Sequence, residues 1–274
     1  MKHNLLTITL IGILLFGSLV AGIYSLASSD SFDAEAMEVA NQLYSTGSYA
    51  EAGQVYEQLL SQGMANSSLY YNLGNAYYAQ GDLGRAILNY QRASRLNPRD
   101  PQIRENLALA RTQSVNEAAV ASSNPIQSLA DFSSSWFTLN ETALLTLGLW
   151  FLLGFLFIAF RRIQPGKMRS FTQYGLILTA LIFLMMGISL GTRLYTEQIR
   201  PEAVIIADQV TINSSPGDEF TTDFSLSSGA EVEVLDVQGS WAHLALPNDI
   251  LDGWIPLSTM ETVSQMGSFD KTIF

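Results

Sequence analysis

Three long apolar blocks without a charged residue constrain this 274-residue chain more than any other feature. They are residues 5–27, 143–160 and 174–191. Each has about the 17–25 residues that a helix needs to cross a bilayer. The whole chain is 48% hydrophobic and only 14% charged, which is too apolar for an ordinary soluble domain. The sequence therefore predicts a multidomain membrane protein.

The charges that flank these blocks predict how the chain crosses the membrane. The short connector 161–170 separates the second and third blocks, and no acidic residue occurs between Glu141 and Glu197. The cations of this connector are Arg161, Arg162, Lys167 and Arg169. Positive charge in a short loop favours the cytoplasmic side. We therefore expect transmembrane helices at 141–160 and 171–192, with a cytoplasmic loop at 161–170.

The first apolar block allows two interpretations. Small residues at Ser25 and Ala27 fit a signal peptide that is cleaved after residue 27. The apolar run is longer than the core of an ordinary signal peptide, which favours an uncleaved N-terminal anchor. Lys2 precedes the block and keeps that end inside in either case. Under both interpretations, residues 28–138 are exported.

The exported N-terminal part contains an internal repeat. When the chain is aligned on itself with residue 40 placed on residue 74, small residues, glycines and aromatic residues recur in phase. The matched pairs are Ala40 with Gly74, Gly47 with Gly81, Ala52 with Ala86, and Tyr56 with Tyr90. A helix pair cannot bury its apolar face alone, so such units stack and a final helix caps them.

These positions resemble the tetratricopeptide repeat family. The two copies span about 33–66 and 67–100, and residues 100–113 follow in phase as a capping helix. Pro98 closes the second copy, whereas Met64 stands at that position in the first. The resemblance implies an α-helical solenoid over 33–113 whose inner groove binds protein partners.

The resemblance also assigns the groove-lining positions to the first helix of each unit. The candidate residues are Met37, Asn41, Tyr44, Tyr71, Asn75, Tyr78, Glu105 and Leu109. Tyrosine faces and asparagine amides at these positions suit an extended or helical peptide segment, or the asparagines merely order the groove. A clamp for a terminal carboxylate is disfavoured, because Met37 stands where the family places a lysine. Tyr70, Tyr77 and Tyr90 fall at packing positions and should be buried.

The segment after the repeats is predicted to approach the membrane. Residues 114–125 are small and polar and indicate a flexible tether. Residues 126–137 then place Trp136 just outside the second apolar block. Residues 126–137 belong to the predicted tether and interfacial segment, 114–138. They form either a short interfacial helix or a loop with an aromatic anchor.

The C-terminal part changes to short alternating runs separated by turn residues, which indicates an all-β domain over 203–263. It resembles bacterial SH3-like domains through the turn at 215–217, the strand "GAEVEVL" at 229–235 and "DGWIP" at 252–256. We therefore expect an SH3-like barrel. Trp241 and Trp254 either mark its ligand face or pack in its core and rim.

The chemical inventory favours a protein without catalytic activity. The chain has no cysteine, and its only histidines are His3 and His243. No nucleophile motif, metal-ligand spacing or phosphate-binding loop is present, so we expect no catalytic residue, no metal and no cofactor. A net charge of −11 argues against binding nucleic acid.

The order of these parts resembles the BatE-like proteins of bacterial aerotolerance operons. That resemblance implies a multi-pass protein of the bacterial cytoplasmic membrane, with its repeats and SH3-like domain outside. It further implies a scaffold beside von Willebrand A-domain membrane proteins and a MoxR-type ATPase. The alternative is an envelope-binding sensor whose SH3-like domain binds a cell-wall peptide.

Overall fold

The structure is a computed structural model that describes residues 31–114, 132–217, 219, 221–246 and 252–264. The predictions for residues 1–27 lie outside the described residues, including the choice between a signal peptide and an anchor. The predicted tether from residue 115 onward, the first part of the interfacial segment and His3 lie outside them as well.

Five helices form the N-terminal array. They are α1 (Ser31–Ser45), α2 (Tyr49–Ser61), α3 (Ser67–Gln80), α4 (Leu83–Leu96) and α5 (Pro101–Gln113). Polar caps begin three of them: Asn66, Asp82 and Asp100 each accept a backbone N–H of the following helix. Helices α1 and α2, and then α3 and α4, are the two predicted repeat units, and α5 is the predicted capping helix.

The turn inside each unit depends on a glycine. Gly47 has a φ of 86° and Gly81 a φ of 84°, so both adopt the left-handed conformation in which other residues are strained. The Gly81 N–H bonds back to the carbonyl of Tyr78 at 3.0 Å. The repeated glycines therefore set the reversal between the two helices of each unit.

Aromatic side chains fill the space between the paired helices. Tyr56 and Tyr90 are each only 1% exposed. At Gly74, an added Cβ would lie 2.7 Å from the ring of Tyr90, so α3 and α4 approach too closely there for any side chain. Tyr70 is buried as expected, whereas Tyr77 is half-buried and hydrogen-bonded to Glu57.

Two long apolar helices follow as an antiparallel hairpin. They are α6 (Leu139–Arg162) and α7 (Lys167–Ile199), and both are long and apolar enough to cross a membrane by length and composition. The connection between the two helices spans only residues 163–166, which is shorter than the predicted loop at 161–170. The difference arises because the residues that carry the predicted loop's cations belong to the two helices. Helix α7 also continues to Ile199 instead of ending at residue 192.

Before α6, residues 132–134 form a single helical turn. Ser133 is buried against Ser189 of α7, whereas Trp136 is 55% exposed and its carbonyl accepts a hydrogen bond from Arg99. The end of the predicted tether is thus held between the array and the hairpin.

The C-terminal domain is one antiparallel sheet of seven strands in the order β3-β2-β6-β5-β4-β1-β7. The strands are β1 (Glu202–Ile205), β2 (Gln209–Asn213), β3 (Thr221–Ser227), β4 (Glu231–Gln238), β5 (Trp241–Ala245), β6 (Asp252–Pro256) and β7 (Met260–Thr262). A single apolar cluster lies on its inner face, with Ile205, Ile212, Leu244 and Ile255 almost inaccessible.

The sheet is not closed into the barrel that the sequence predicts. Its outer strands are β3 and β7, and no ladder joins them within the described strands. Strand β7 has only three residues, and its edge is covered from outside: Arg92 of the array donates a hydrogen bond to the Thr262 carbonyl at 2.7 Å. Covering an edge in this way removes the need for another strand to pair with it.

The array packs directly on the sheet. Val204 and Val263 join an apolar cluster with Ile87, Leu88 and Leu107 of the array. Ser114, predicted as the start of a free tether, is buried and donates a hydrogen bond to the Ser228 carbonyl at 2.9 Å. The repeats and the sheet therefore form one packed body on the side of the hairpin away from the 163–166 turn.

Candidate functional site

The predicted groove residues lie on one face shared by the first helices, α1, α3 and α5. Most are half-buried, whereas Glu105 and Leu109 of α5 are more accessible. The half-buried residues are Met37, Asn41, Tyr44, Tyr71, Asn75 and Tyr78. Hydrogen bonds that cross from one first helix to the next involve Asn41, Tyr71, Asn75 and Tyr78. Within the described part of the chain, no bond of this kind involves the other four predicted residues.

The first of these connections centres on Asn41. Its Oδ1 accepts a hydrogen bond from the Tyr56 hydroxyl at 2.7 Å and another from Asn72 Nδ2 at 3.0 Å. Tyr56 lies on α2 and Asn72 on α3, so one amide oxygen joins three helices. The oxygen is fully occupied by these two donors.

The same connection recurs at the matching positions of the next unit. Asn75 Oδ1 accepts from the Tyr90 hydroxyl at 2.8 Å and from Asn106 Nδ2 at 3.0 Å. Asn106 also donates to the Tyr71 hydroxyl at 3.1 Å. Two asparagine oxygens therefore order the groove wall.

The Nδ2 groups of Asn41 and Asn75 remain available to a ligand. Neither donates a hydrogen bond to any of the residues that the structure describes. Because each oxygen is fixed from behind by a buried tyrosine, the amide plane cannot turn freely. Each asparagine thus offers a fixed N–H donor, which suits a carbonyl oxygen of a bound chain.

The groove tyrosines are held by partners as well. The Tyr78 hydroxyl accepts a hydrogen bond from Gln113 Nε2 at 2.6 Å, and the Tyr71 ring packs at a tilt 6.0 Å from the Tyr90 ring. Tyr44 packs 5.2 Å from Tyr49. These contacts fix aromatic faces on the groove and lower the entropy cost of using them in binding.

Burial also keeps the supporting phenols protonated. It raises the pKa of Tyr56 to about 12, and it raises the pKa of Tyr90 and of Tyr44 above the ordinary value. A protonated phenol can donate, which is the role that Tyr56 and Tyr90 have toward the asparagines. The groove therefore keeps the same hydrogen-bond pattern across the physiological pH range.

Three contributing residues, Asn72, Asn106 and Gln113, were not among the sequence-predicted groove residues. Asn106 could have been found, because it stands in phase with Asn72, just as Gly74 stands in phase with Ala40. Gln113 has no such counterpart, since Ala79 occupies the corresponding position of the preceding unit. Only the packing of α5 on α3 shows that it reaches Tyr78.

The sheet carries a second candidate surface on its outer face. Trp241 and His243 project from β5 on the side opposite the buried Ala242 and Leu244, and Trp254 lies beside them on β6. His243 stacks on Trp254 with ring centroids 4.8 Å apart, and its Nε2 lies 3.1 Å from Asp252. Both predicted tryptophans are therefore half-exposed and on the same face.

The described residues include no group of three or more histidine, cysteine, aspartate or glutamate residues that could hold a metal ion. His243 has one carboxylate neighbour and one aromatic neighbour, and no serine or threonine hydroxyl bonds to it in this part of the chain.

Comparison with known proteins identifies the helical array. A family model described as TPR repeat matches residues 40–81 and again 74–114. No curated protein matches the chain. The two matched segments cover the helix pairs and the capping helix that carry the asparagine connections. Residues 40–114 are therefore a tetratricopeptide-repeat region, and the chain joins it to two long apolar helices and an antiparallel sheet.

Proposed function

We propose that this chain is a non-catalytic, membrane-anchored scaffold that binds a segment of a partner protein in the groove of its tetratricopeptide repeats. Repeats of this kind bind protein partners in general. The observation that carries the proposal is the pair of fixed amide donors at Asn41 and Asn75, set beside held tyrosine faces. An extended chain offers backbone carbonyls to such donors and places its side chains between the aromatic rings.

The proposal includes a membrane location. The antiparallel hairpin of α6 and α7 puts the array and the sheet at one end and the cations of the short turn at the other. Cations at such a turn favour the cytoplasmic side, which leaves the packed array and sheet outside. The resemblance to BatE-like proteins suggests the bacterial cytoplasmic membrane and von Willebrand A-domain membrane proteins as partners.

Site-specific photo-crosslinking in cells tests the groove. A photoreactive residue replaces Leu109, which is 48% exposed on the groove, and the matched control replaces Leu96, which is 47% exposed outside it. The expected result is a defined protein adduct at position 109 that is absent at position 96. Equal adducts at both positions, or none at 109, would contradict binding in the groove.

A second set of variants tests which groups bind. Tyr78→Phe loses only the hydroxyl that Gln113 holds, whereas Tyr78→Ala loses the aromatic face. We expect the alanine variant to lose the adduct at position 109 and the phenylalanine variant to keep most of it. Tyr195→Ala removes an exposed tyrosine from α7 and is the control that should leave the adduct unchanged.

The sheet supports a second candidate function, an SH3-like domain that binds a cell-wall peptide. The face that carries Trp241, His243 and Trp254 favours it, because His243 stacks on Trp254 and these half-buried rings keep a surface that a peptide or sugar ligand can contact. Binding of purified muropeptides to the full chain, lost in Trp254→Ala and retained in Tyr78→Ala, would favour this function over the groove.

A further inference from the structure

The negative charge of this protein is concentrated in its C-terminal sheet domain. No lysine or arginine stands between residues 201 and 264, whereas eleven aspartates and glutamates do. The whole chain carries a formal net charge of −11, so the rest of the chain is neutral overall. A surface with one sign of charge attracts ligands of the opposite sign and repels those of the same sign. The sheet domain therefore disfavours anionic lipid, nucleic acid and anionic polymers as ligands, and it favours a cation.

The acidic residues on the side of the sheet that faces the array are already paired. Four glutamates on β1, β4 and β7 each contact an arginine of the array or the arginine that follows α7. The pairs are Glu202 with Arg95 at 2.9 Å, Glu231 with Arg111 at 2.6 Å, Glu233 with Arg200 at 3.4 Å and Glu261 with Arg92 at 3.3 Å. The uncompensated negative charge of the domain therefore lies away from these contacts.

Two carboxylates on the outer face of the sheet contact no lysine or arginine among the described residues. Val237 packs against the core, which directs its neighbour Asp236 to the outer face, opposite His243 of β5. Asp236 accepts hydrogen bonds only from neutral donors, the Val237 N–H and the Gln238 amide. On the other side of His243, the Asp252 side chain is 66% exposed. A cation that approaches this face can therefore reach two carboxylates.

An apolar groove lies next to these carboxylates on the same face. Trp241 of β5 pairs across the strands with Pro256 of β6, and both side chains are half-buried. Together with Ser240, Leu257 and Ser258 they line a groove of about 650 Å³, within the range of sites that hold ligand groups. The outer face thus combines an apolar groove at one end with two carboxylates at the other.

The positions of these groups on β6 set the length of a ligand that reaches both. Asp252 and Pro256 lie on the same side of the strand, because the residues between them alternate in burial. Their separation along the strand is about 13 Å, at about 3.3 Å per residue. An extended peptide has the same rise and the same alternation, so its residues i and i+4 would meet the two ends of the face. Residue i+2 would then lie over Trp254.

We propose that this face binds an extended, cationic segment of a partner protein. A lysine or arginine of the segment lies at the carboxylates of Asp236 and Asp252, and an apolar residue four positions away lies in the groove beside Trp241. A polyamine or a metal ion would fill only the acidic end, and an uncharged sugar would use only the aromatic part. The inference assigns the tryptophans of the second candidate function to a different class of ligand. It depends neither on the tetratricopeptide groove nor on the membrane location.

The test measures the binding of short labelled peptides to the full chain in phosphatidylcholine nanodiscs, which carry no net charge. The probe contains the sequence Arg-Ser-Ser-Ser-Leu, and fluorescence anisotropy gives its affinity. Replacing its arginine by glutamine should weaken binding about tenfold, the effect of one charge-assisted hydrogen bond. Replacing its leucine by serine, or placing the leucine next to the arginine, should weaken binding about fivefold. Equal affinity of the arginine and glutamine peptides, or no effect of the leucine, overturns the proposal.

Two variants and a matched control locate the cation. Asp252→Asn should reduce the affinity for the arginine peptide about fivefold without changing that for the glutamine peptide, and Asp252→Lys should abolish the preference between them. The control, Asp208→Asn, makes the same change in net charge at an exposed residue of the β1–β2 connection, where Ser228 and the array lie nearby. An equal loss in Asp208→Asn would mean that the net charge of the domain alone attracts the peptide, which overturns the proposal.

A third variant tests the apolar end of the face. Trp241→Ala should remove the advantage of the leucine peptide over the serine peptide while the preference for arginine remains. The control is Trp150→Ala, which removes an exposed tryptophan from α6 and should change neither preference. If Trp241→Ala fails to fold, the change from leucine to serine in the peptide tests the same end without altering the protein. A leucine advantage that persists in a folded Trp241→Ala overturns the proposal.

Two further measurements separate this site from the other candidates. Tyr78→Ala should leave the affinity for the arginine peptide unchanged, and a loss there would assign the peptide to the tetratricopeptide groove. Purified muropeptides should not displace the arginine peptide at equal concentration, and displacement would assign the face to a cell-wall peptide. Either outcome overturns the proposal. The crosslinked adduct at position 109 reports on the groove alone, so the two proposals can fail separately.

Discussion

The backbone N–H of Gly84 donates a hydrogen bond to Ser228 Oγ at 3.0 Å, which ties the start of helix α4 to the β3–β4 turn of the sheet. Gly84 is buried, and an added Cβ would lie 2.6 Å from both the Ile205 carbonyl oxygen and Ser228 Oγ. The glycine is therefore required by the contact between the array and the sheet, and not by the helix in which it lies.

This relationship predicts that Gly84→Ala has opposite effects in two contexts. In the isolated array 31–114, alanine should raise the free energy of unfolding by up to about 1 kcal/mol, because alanine favours helix. In the full chain, the clash with the Ile205 carbonyl should lower it by about 1–3 kcal/mol. Chemical denaturation of both proteins measures the two effects. The same sign in both would show that Gly84 does not serve the contact with the sheet.

A second prediction concerns the ion pair between Arg111 and Glu231, in which two guanidinium nitrogens lie 2.6 and 2.8 Å from the carboxylate oxygens. Because both side chains are partly exposed, the pair should contribute only about 0.5–1 kcal/mol. Arg111→Glu should loosen the array from the sheet and expose the Ser114 region to protease. The exchanged double variant Arg111→Glu with Glu231→Arg should restore protection. Protection that is not restored would mean that packing alone holds the two parts together.

The repeat region was predictable from the sequence because its determinants are local and recur in phase. Each matched feature of the first unit recurs in the second because the same physical requirement recurs: a left-handed turn, a close helix contact or a filled space between helices. These features are the glycines at 47 and 81, the small residues at 40 and 74, and the tyrosines at 56 and 90. The apolar blocks of the hairpin were predictable as well, since composition alone identifies them. Helix ends were less so, because charged residues at 162 and 167 continue the helices beyond the apolar pattern.

The contact between array and sheet could not be predicted in this way. Gly84 of the array contacts the sheet, and Gly229 of the sheet contacts the array, although a long stretch of sequence separates the contacting residues. The local sequence around either glycine does not differ from that of an ordinary helix or turn glycine. The predicted closed barrel was wrong for a related reason. Strand alternation indicates how many strands there are but not whether the two outer strands pair, and the edge at β7 is covered by Arg92 of the array.

The asparagine connections lead to a third prediction, a coupled loss of stability between Asn75 and Tyr90. Asn75→Ala leaves the hydroxyl of Tyr90, a residue that is 1% exposed, without its acceptor, which should cost about 1–3 kcal/mol. Adding Tyr90→Phe should recover part of that loss, since no buried hydroxyl then remains unpaired. A double-mutant cycle by denaturation measures the coupling, which we expect to exceed about 0.5 kcal/mol. The Asn41 and Tyr56 pair of the first repeat is the internal control and should behave in the same way.

The last prediction is that the repeat array loses stability at alkaline pH through Tyr56. Burial raises the pKa of Tyr56 from 10.0 to about 12, so the folded state holds this proton more tightly than the unfolded state. The stabilisation that Tyr56 gives by holding its proton in the folded state is complete below pH 10. It declines as the unfolded chain loses this proton, and it is gone above pH 12. A shift of this size corresponds to about 3 kcal/mol. Denaturation of the isolated array at pH 9 and pH 11.5 measures the change, and Tyr56→Phe should remove only part of it, because the pKa values of Tyr90 and Tyr44 are raised as well. An equal pH dependence in Tyr56→Phe would assign the effect to other tyrosines, of which Tyr90, with its own raised pKa, is the next to replace.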